Sequence, residues 1–290
     1  MKEIVIISGK GGTGKTSITA SFAALSKNAV LADCDVDAAD LHLLLAPSEQ
    51  ESHPFFSGHI ACIDEQKCSA CGTCQSLCRY DAIVAHEGKY AVVASSCEGC
   101  NVCVTFCPEQ AIDFPERRCG EWYRSITRCG PMIHARLDIG AENSGKLVSL
   151  VRQQAHELAQ QQQCDLVLID GPPGIGCPVI AATTGTDAVF IITEPTCSGK
   201  HDLLRVLELT RHFDIPAYIC VNKWDINPSM TKEIQDSARE NGAQVIGTVP
   251  YDSHITKAQI AGKTIVEYGD SIAAISIKQI WQNFCAAIEI

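Results

Sequence analysis

Positive charge is in short supply in this chain. Its 290 residues hold 23 Lys and Arg against 34 Asp and Glu, a formal net charge of −11 with His neutral. Such a surface repels phosphate backbones and anionic lipid, so neither nucleic acid nor a membrane surface is an expected partner. No window reaches 18 consecutive apolar residues, so no transmembrane helix is expected. No leader is expected either. Lys2 and Glu3 run directly into a strand-like segment, which does not resemble a signal peptide, so a cytoplasmic location is expected. Low-complexity sequence is limited to Gln160–Gln163. With 46% apolar and 20% charged residues, the composition is that of a packed globular protein.

Cysteine is unusually frequent. There are 17, an odd number. Without a secretion signal a disulfide framework is not expected. Eight of them fall between Cys68 and Cys107 at regular spacing, which points to metal binding.

The length suits about two domains, or one domain with an insertion. Short apolar runs at Lys2–Ser8, Asn28–Cys34, Asp165–Asp170, Ala188–Thr193, Ala217–Asn222 and Gln244–Val249 read as buried parallel strands. Helical spacing separates them at Thr16–Lys27, Gly145–Gln162, His201–His212, Ser229–Asn241 and Asp270–Ile288, with Asn143 or Ser144 as a cap for the second. This alternation predicts a doubly wound, mostly parallel α/β sheet. The stretch 59–115 breaks the rhythm and reads as an inserted small α+β module, leaving 1–58 and 116–290 as a discontinuous main domain.

Gly9-Lys10-Gly11-Gly12-Thr13-Gly14-Lys15-Thr16 fits G-x-x-x-x-G-K-[ST], between an expected strand and an expected helix. Glycines let backbone N–H groups wrap phosphates at the positive end of a helix. Lys15 is expected on the β- and γ-phosphates, the Thr16 hydroxyl on Mg²⁺, and Ser17 beside them.

The second lysine, Lys10, makes this loop resemble the deviant loop of the MinD/ParA/Mrp family of P-loop ATPases, which includes the nitrogenase iron protein. The resemblance implies that Lys10 reaches a partner's nucleotide, giving a homodimer on ATP binding. Ala32-Asp33-Cys34-Asp35-Val36-Asp37 resembles the family's switch I, with Asp35 near Mg²⁺ and the attacking water, and Asp33, Asp37 and Asp40 as alternatives. Asp170-Gly171-Pro172-Pro173-Gly174 resembles switch II, with Asp170 toward Mg²⁺ and the Gly174 N–H toward the γ-phosphate. Asn222-Lys223-Trp224-Asp225 resembles the segment whose Asn amide reads adenine, an amide offering donor and acceptor in one plane. N-K-x-D also occurs in GTPases, so the choice of base rests on the overall likeness. Pro250-Tyr251-Asp252 matches the loop beside the base. The likeness covers all but the insertion.

Within the insertion, Cys68-x₂-Cys71-x₂-Cys74-x₃-Cys78 is followed by Cys97-x₂-Cys100-x₂-Cys103-x₃-Cys107-Pro108. Each is the bacterial ferredoxin run, in which the fourth cysteine serves the other cluster. One [4Fe–4S] cluster is therefore expected on Cys68, Cys71, Cys74 and Cys107, and a second on Cys97, Cys100, Cys103 and Cys78. Zinc is the alternative for such sets. The repeat extends further, Asp81-Ala82-Ile83 mirroring Gln110-Ala111-Ile112. The module resembles a two-cluster ferredoxin.

Cys34, Cys164 and Cys220 read as small buried hydrophobes. Cys62, Cys119, Cys129, Cys197 and Cys285 have no evident partner. Cys177 lies at the offset of a ligand cysteine in the nitrogenase iron protein, and a bridging third cluster would need Cys119 or Cys129 besides. His134 reads as structural and Lys146 as a solvated helix lysine. Pro131–Val148 resembles a stretch of MinD-type ATPases with an inserted ferredoxin, without a readable role. The C-terminal Ser271–Ile290, apolar at Ile272, Ile275, Ile280, Phe284 and Ile288, reads as a core helix and not as a basic membrane tail.

The expected protein is thus a cytoplasmic, Mg²⁺-dependent, slow ATPase whose nucleotide state is coupled to electron transfer by two [4Fe–4S] clusters toward a redox or cluster-acceptor protein. Two further readings stand beside it. One is an iron–sulfur cluster carrier, although no C-x-x-C exists outside the two runs. The other is a MinD/ParA-like spatial organiser with a redox sensor, which lacks a basic tail.

Overall fold

The structure is a computed structural model that describes residues 1–141 and 144–290; the side chain of Glu49 and the expected cap Asn143 lie outside the described residues. The chain divides into two compact units. One comprises Met1–His53, Trp122–Arg136 and Ser144–Ile290, the other Pro54–Glu121 and Leu137–Asn143.

The strands in chain order are β1 (Lys2–Ser8), β2 (Ala29–Asp33), β3 (Glu49–His59), β4 (Cys62–Ile63), β5 (Ile83–His86), β6 (Lys89–Val92), β7 (Ile112–Asp113), β8 (Glu116–Thr127), β9 (Gly130–Leu137), β10 (Leu166–Pro173), β11 (Ala188–Thr193), β12 (Ala217–Asn222) and β13 (Gln244–Val249). A nine-stranded sheet runs β13-β12-β11-β1-β10-β2-β9-β8-β3. The six pairings from β13 to β9 are all parallel. The six expected strands are all present. Ile4–Ile7, Val189–Ile192 and Ile219–Val221 are fully buried, as strands covered on both faces must be.

The edge of the sheet was not legible. β8 and β9 are joined by only Arg128 and Cys129, a connection too short for anything but an antiparallel hairpin. Their sequence has no clean period, because glycines, arginines and apolar residues alternate irregularly along them. The obscure stretch Pro131–Val148 resolves into most of β9 and the start of the next long helix.

The main helices are α1 (Lys15–Leu25), α2 (Leu41–Leu45), α3 (Thr73–Leu77), α4 (Val102–Thr105), α5 (Ser144–Gln161), α6 (Cys177–Thr183), α7 (Cys197–His212), α8 (Pro228–Glu240), α9 (His254–Ile260), α10 (Ile265–Tyr268) and α11 (Ile272–Ile288). α7 starts four residues before the expected His201, because the Thr196 hydroxyl accepts the Gly199 N–H at 3.0 Å and caps it. α11 packs through Ala274, Ile277, Ile280, Trp281, Phe284 and Ile288. Ile272 and Ile275 point away and are 72% and 60% exposed, correcting their assignment to the core face. On the β1 side Phe22 of α1 meets Phe190 edge-on at 5.2 Å and Trp281 at 4.8 Å. This aromatic group fixes α1, and hence the loop before it, against the sheet.

The second unit is built on an internal repeat. Ala70 and Gly99 both take left-handed φ (58° and 60°), as do Gly72 and Asn101 (78° and 66°) and Asp81 and Gln110 (51° and 49°). The turns between the cysteines of the two runs therefore bend alike. Strands β4 and β7 pair antiparallel, as do β5 and β6. One buried cluster among its described residues joins Ala61, Cys74, Ile83 and Ile112, with four more cysteines and Ile63, Tyr90, Val92, Val104 and Phe114 packed against it. Units of this size ordinarily need a staple.

Candidate nucleotide site and cysteine cavities

β1 ends at Ser8, and the loop that follows turns on Gly12 (φ 79°) and Gly14 (φ 91°) before α1 begins at Lys15. Gly14 is doubly constrained, since a Cβ there would stand 2.5 Å from the Asn222 Nδ2. The Asn222 amide donates to the Thr13 carbonyl at 2.7 Å and accepts the Lys223 N–H at 3.0 Å, so it splints the loop to the end of β12.

Lys15 is 6% exposed and pairs with Asp170 Oδ1 at 2.9 Å and Asp35 Oδ2 at 3.5 Å. The Thr16 hydroxyl donates to Asp170 Oδ2 at 2.9 Å. Thr19 Oγ1 lies 2.8 Å from Asp170 Oδ1, so both carboxylate oxygens are held. Asp33 is fully buried and accepts the N–H groups of Asp35 and Leu41. Burial would lower the Lys15 pKa, but the charges of Asp170, Asp35 and Asp33 outweigh it and raise it. Burial and then the Asp170 charge push Asp33 well up, and burial raises Asp35 against the pull of Lys15. Three carboxylates thus share one ammonium in a nearly dry site. Such an excess of negative charge suits a divalent cation. Of the alternatives, Asp33 joins this group, whereas Asp37 and Asp40 are exposed at the surface.

The Gly174 N–H donates to the Ser8 carbonyl at 2.8 Å, linking the loop after β10 to the end of β1. Lys10 contacts Glu194 Oε1 at 2.5 Å, with the hydroxyls of Ser198 and Thr196 at 3.1 and 3.4 Å. Lys223 reaches the other Glu194 oxygen at 3.4 Å and the Gly12 carbonyl at 3.3 Å. Burial works to raise the Glu194 pKa, and the two lysines overcome it and hold it low. Glu194 and Thr19 carry no sequence signal, and Lys223 has one only as part of the Asn222–Asp225 segment, because each acts through a contact far away in the chain.

A cavity of about 240 Å³ opens beside the loop, lined by Gly12, Gly14, Ser17, Asn222, Pro250, Tyr251 and Asp252 among others. The structure therefore gathers the residues expected around a base. Tyr251 is 61% exposed and its N–H donates to Asp225 Oδ1 at 2.7 Å. Burial opposes ionisation of Asp252, but N–H groups of His254 and Ala273 and the side chains of His254 and Ser271 pull its pKa down to about 2.

In the second unit one cavity is lined by Cys68, Cys71, Cys74 and Cys107. Another is lined by Cys97, Cys100, Cys103 and Cys78. The crossed grouping of three cysteines from one run and one from the other appears in both. Among the described residues no group of three or more His, Cys, Asp or Glu converges closely enough for a single metal ion. Four cysteine sulfurs around one cavity are a donor set that suits an iron–sulfur cluster.

Cys34, Cys164 and Cys220 are buried, Cys177 and Cys197 are exposed, and buried Cys119 donates to the Ser57 carbonyl at 3.2 Å. His134 is buried, lies 2.9 Å from the Ser125 hydroxyl and stacks between His42 and Tyr123. Burial, then His42, lowers its pKa to about 4. No described helix is long and apolar enough to cross a membrane.

A family model for the CobQ/CobB/MinD/ParA nucleotide binding domain matches residues 4–265. An uncharacterized protein of Methanocaldococcus jannaschii is 32% identical over 284 residues, covering 97% of this chain and 95% of that relative. An iron–sulfur cluster carrier protein of Pyrococcus furiosus is 27% identical over 150 residues, covering 47% of this chain and 50% of the carrier. Among solved structures, the cell division ATPase MinD of Pyrococcus furiosus superimposes with a TM-score of 0.58 at 15% identity, covering 99% of each chain.

Proposed function

The chain belongs to the CobQ/CobB/MinD/ParA nucleotide-binding family, and from that premise we propose that it is a Mg²⁺-dependent ATPase, dimeric with ATP, whose nucleotide state governs electron transfer through two [4Fe–4S] clusters. The observation that carries the ATPase reading is Lys15, buried against Asp170 and Asp35 with Thr16 on the same carboxylate. Thr16 and Asp170 would hold Mg²⁺, which supplies charge neutralisation for the phosphates. Lys15 leaves its carboxylates for the β- and γ-phosphates, and the loop N–H groups cradle them. Asp35 is the group that orients the attacking water. Ser17, Asn222, Pro250 and Tyr251 border the base.

Two events change the switches. The Gly174 N–H, now on Ser8, turns to the γ-phosphate. Lys10 exchanges Glu194 for the partner's nucleotide. The domains are read as 1–58 with 116–290 for the ATPase and 59–115 for the ferredoxin module. Support for the clusters comes from the two crossed cysteine cavities. Each cluster would carry one electron at low potential. The eight cysteines hold the clusters, and the surrounding side chains set how readily each accepts that electron.

The test uses anaerobically purified protein. Parent protein should hydrolyse ATP and shift to a dimer with Mg·ATP. Lys15→Ala should do neither, and Lys10→Ala should bind nucleotide without the dimer. Parent protein that binds no ATP would overturn the reading.

The partial likeness to cluster carriers favours a second reading, delivery of a cluster to an acceptor. Incubation with an apo-acceptor separates the two. A carrier transfers iron, and an electron-transfer protein keeps it.

A further inference from the structure

The internal repeat allows the surroundings of the two cysteine cavities to be compared position by position. Each cavity has one carboxylate residue in its lining, Glu109 in the first and Glu98 in the second. Acidic charge therefore does not distinguish them. Among the groups that differ are Thr73 and Arg117. The Thr73 hydroxyl stands 3.3 Å from Cys71 Sγ at the first cavity. Its counterpart in the second run is Val102, which has no hydrogen to give. At the second cavity Arg117 donates from Nη1 to the Cys97 carbonyl at 3.3 Å. It is half-buried and forms no ion pair with a carboxylate among the described residues. Lys67 and Lys89, near the first run, are paired with Asp64 and Glu65, and Arg79, beside Cys78, is exposed to solvent, where its charge is screened.

Hydrogen bonds to cysteine sulfur and uncompensated positive charge both favour the reduced cluster, which carries one more negative charge. We infer that Thr73 and Arg117 are tuning residues for different clusters: Thr73 for the one on Cys68, Cys71, Cys74 and Cys107, Arg117 for the one on Cys97, Cys100, Cys103 and Cys78. This rests on the two-cluster reading above. In each reduction a [4Fe–4S]²⁺ cluster takes one electron from a low-potential donor to become [4Fe–4S]⁺, with no bond made or broken.

The experiment is a dithionite titration of the whole protein, followed by electron paramagnetic resonance. Thr73→Val copies the residue of the other run, and Arg117→Gln removes the charge. Thr73→Val should move one reduction step to lower potential and leave the other in place. Arg117→Gln should move the other step down, and Arg117→Lys should leave both near the parent values. Iron content should be unchanged in each. A variant with full iron that moves both steps alike or neither, or two variants that move the same step, overturns the inference. Should Arg117→Gln lose iron, Thr73→Val still decides, since it must move one step alone. Parent protein without iron would instead defeat the two-cluster reading itself.

Discussion

Replacing Lys15 by Ala tests the charge balance of the site apart from catalysis. Lys15 is the one cation paired with Asp170 and Asp35 among the described residues, with Asp33 close by, and it is 6% exposed. Its removal leaves buried carboxylates without a counter-charge. Breaking a buried pair in this way costs about 3–5 kcal/mol. The loss should depend on pH. Burial already lifts the pKa of Asp33 and Asp35, and removal of the ammonium lifts them further. A carboxyl whose folded pKa lies above its unfolded value costs stability once it ionises, so the deficit should be full near neutrality and shrink as pH falls toward the raised values. Urea midpoints of parent and variant between pH 5 and 8 measure this. Adding Asp35→Asn to Lys15→Ala should return part of the loss, and Mg²⁺ should stabilise the single variant more than the parent. A deficit that is constant with pH and unmoved by Asp35→Asn would refute the shared-charge account.

Three further outcomes can be checked in the same material. Arg128 holds Glu267 through two bonds of 2.7 and 2.8 Å and also reaches the Leu44 carbonyl at 2.7 Å. The guanidinium, outweighing burial, takes the Glu267 pKa down to about 2, so the pair stabilises above the usual carboxylate pKa and loses its effect as pH falls from about 4.5 toward 2. Arg128→Ala should cost about 1–2 kcal/mol at neutral pH after allowance for partial exposure, and little at pH 2, in urea melts. Asn222→Ala frees the Thr13 carbonyl and should cost about 1–3 kcal/mol while weakening ATP binding, read by calorimetry. Phe22→Ala removes the ring between Phe190 and Trp281 and should cost about 3–5 kcal/mol in thermal melts, with iron content unaffected.

Much of the main sheet was legible because parallel strands covered on both faces are short runs of Val, Ile and Ala, and because the nucleotide loop has a fixed spacing. The cysteine runs were legible for the same reason, as each packs a whole ligand set into a few residues. β3, β8 and β9 were not, since β8 and β9 mix Arg and Gly with apolar residues without a steady period and β3 opens on Glu-Gln-Glu-Ser and carries a proline. The start of α7 was misplaced because its cap, Thr196, follows a proline and precedes Cys-Ser-Gly, which reads as loop. Glu194 and Thr19 had no local signature. A glutamate between two lysines from distant loops, and a threonine one turn along α1 from Lys15, acquire meaning only when the sheet brings β1, β10, β11 and β12 side by side. Ile272 and Ile275 show the opposite failure, since helical spacing marks an apolar face without saying where the chain first meets the core.

The central claim is that the nucleotide site governs the clusters. Its most direct test is the rate at which anaerobically reduced protein loses electrons to an oxidised viologen, timed by the return of the brown absorbance, with Mg·ATP, with Mg·ADP and with neither. The account predicts a rate that changes with Mg·ATP in the parent and no longer changes in Lys15→Ala. Equal rates under all three conditions, in a parent that binds ATP and holds about eight iron atoms per chain, would contradict it.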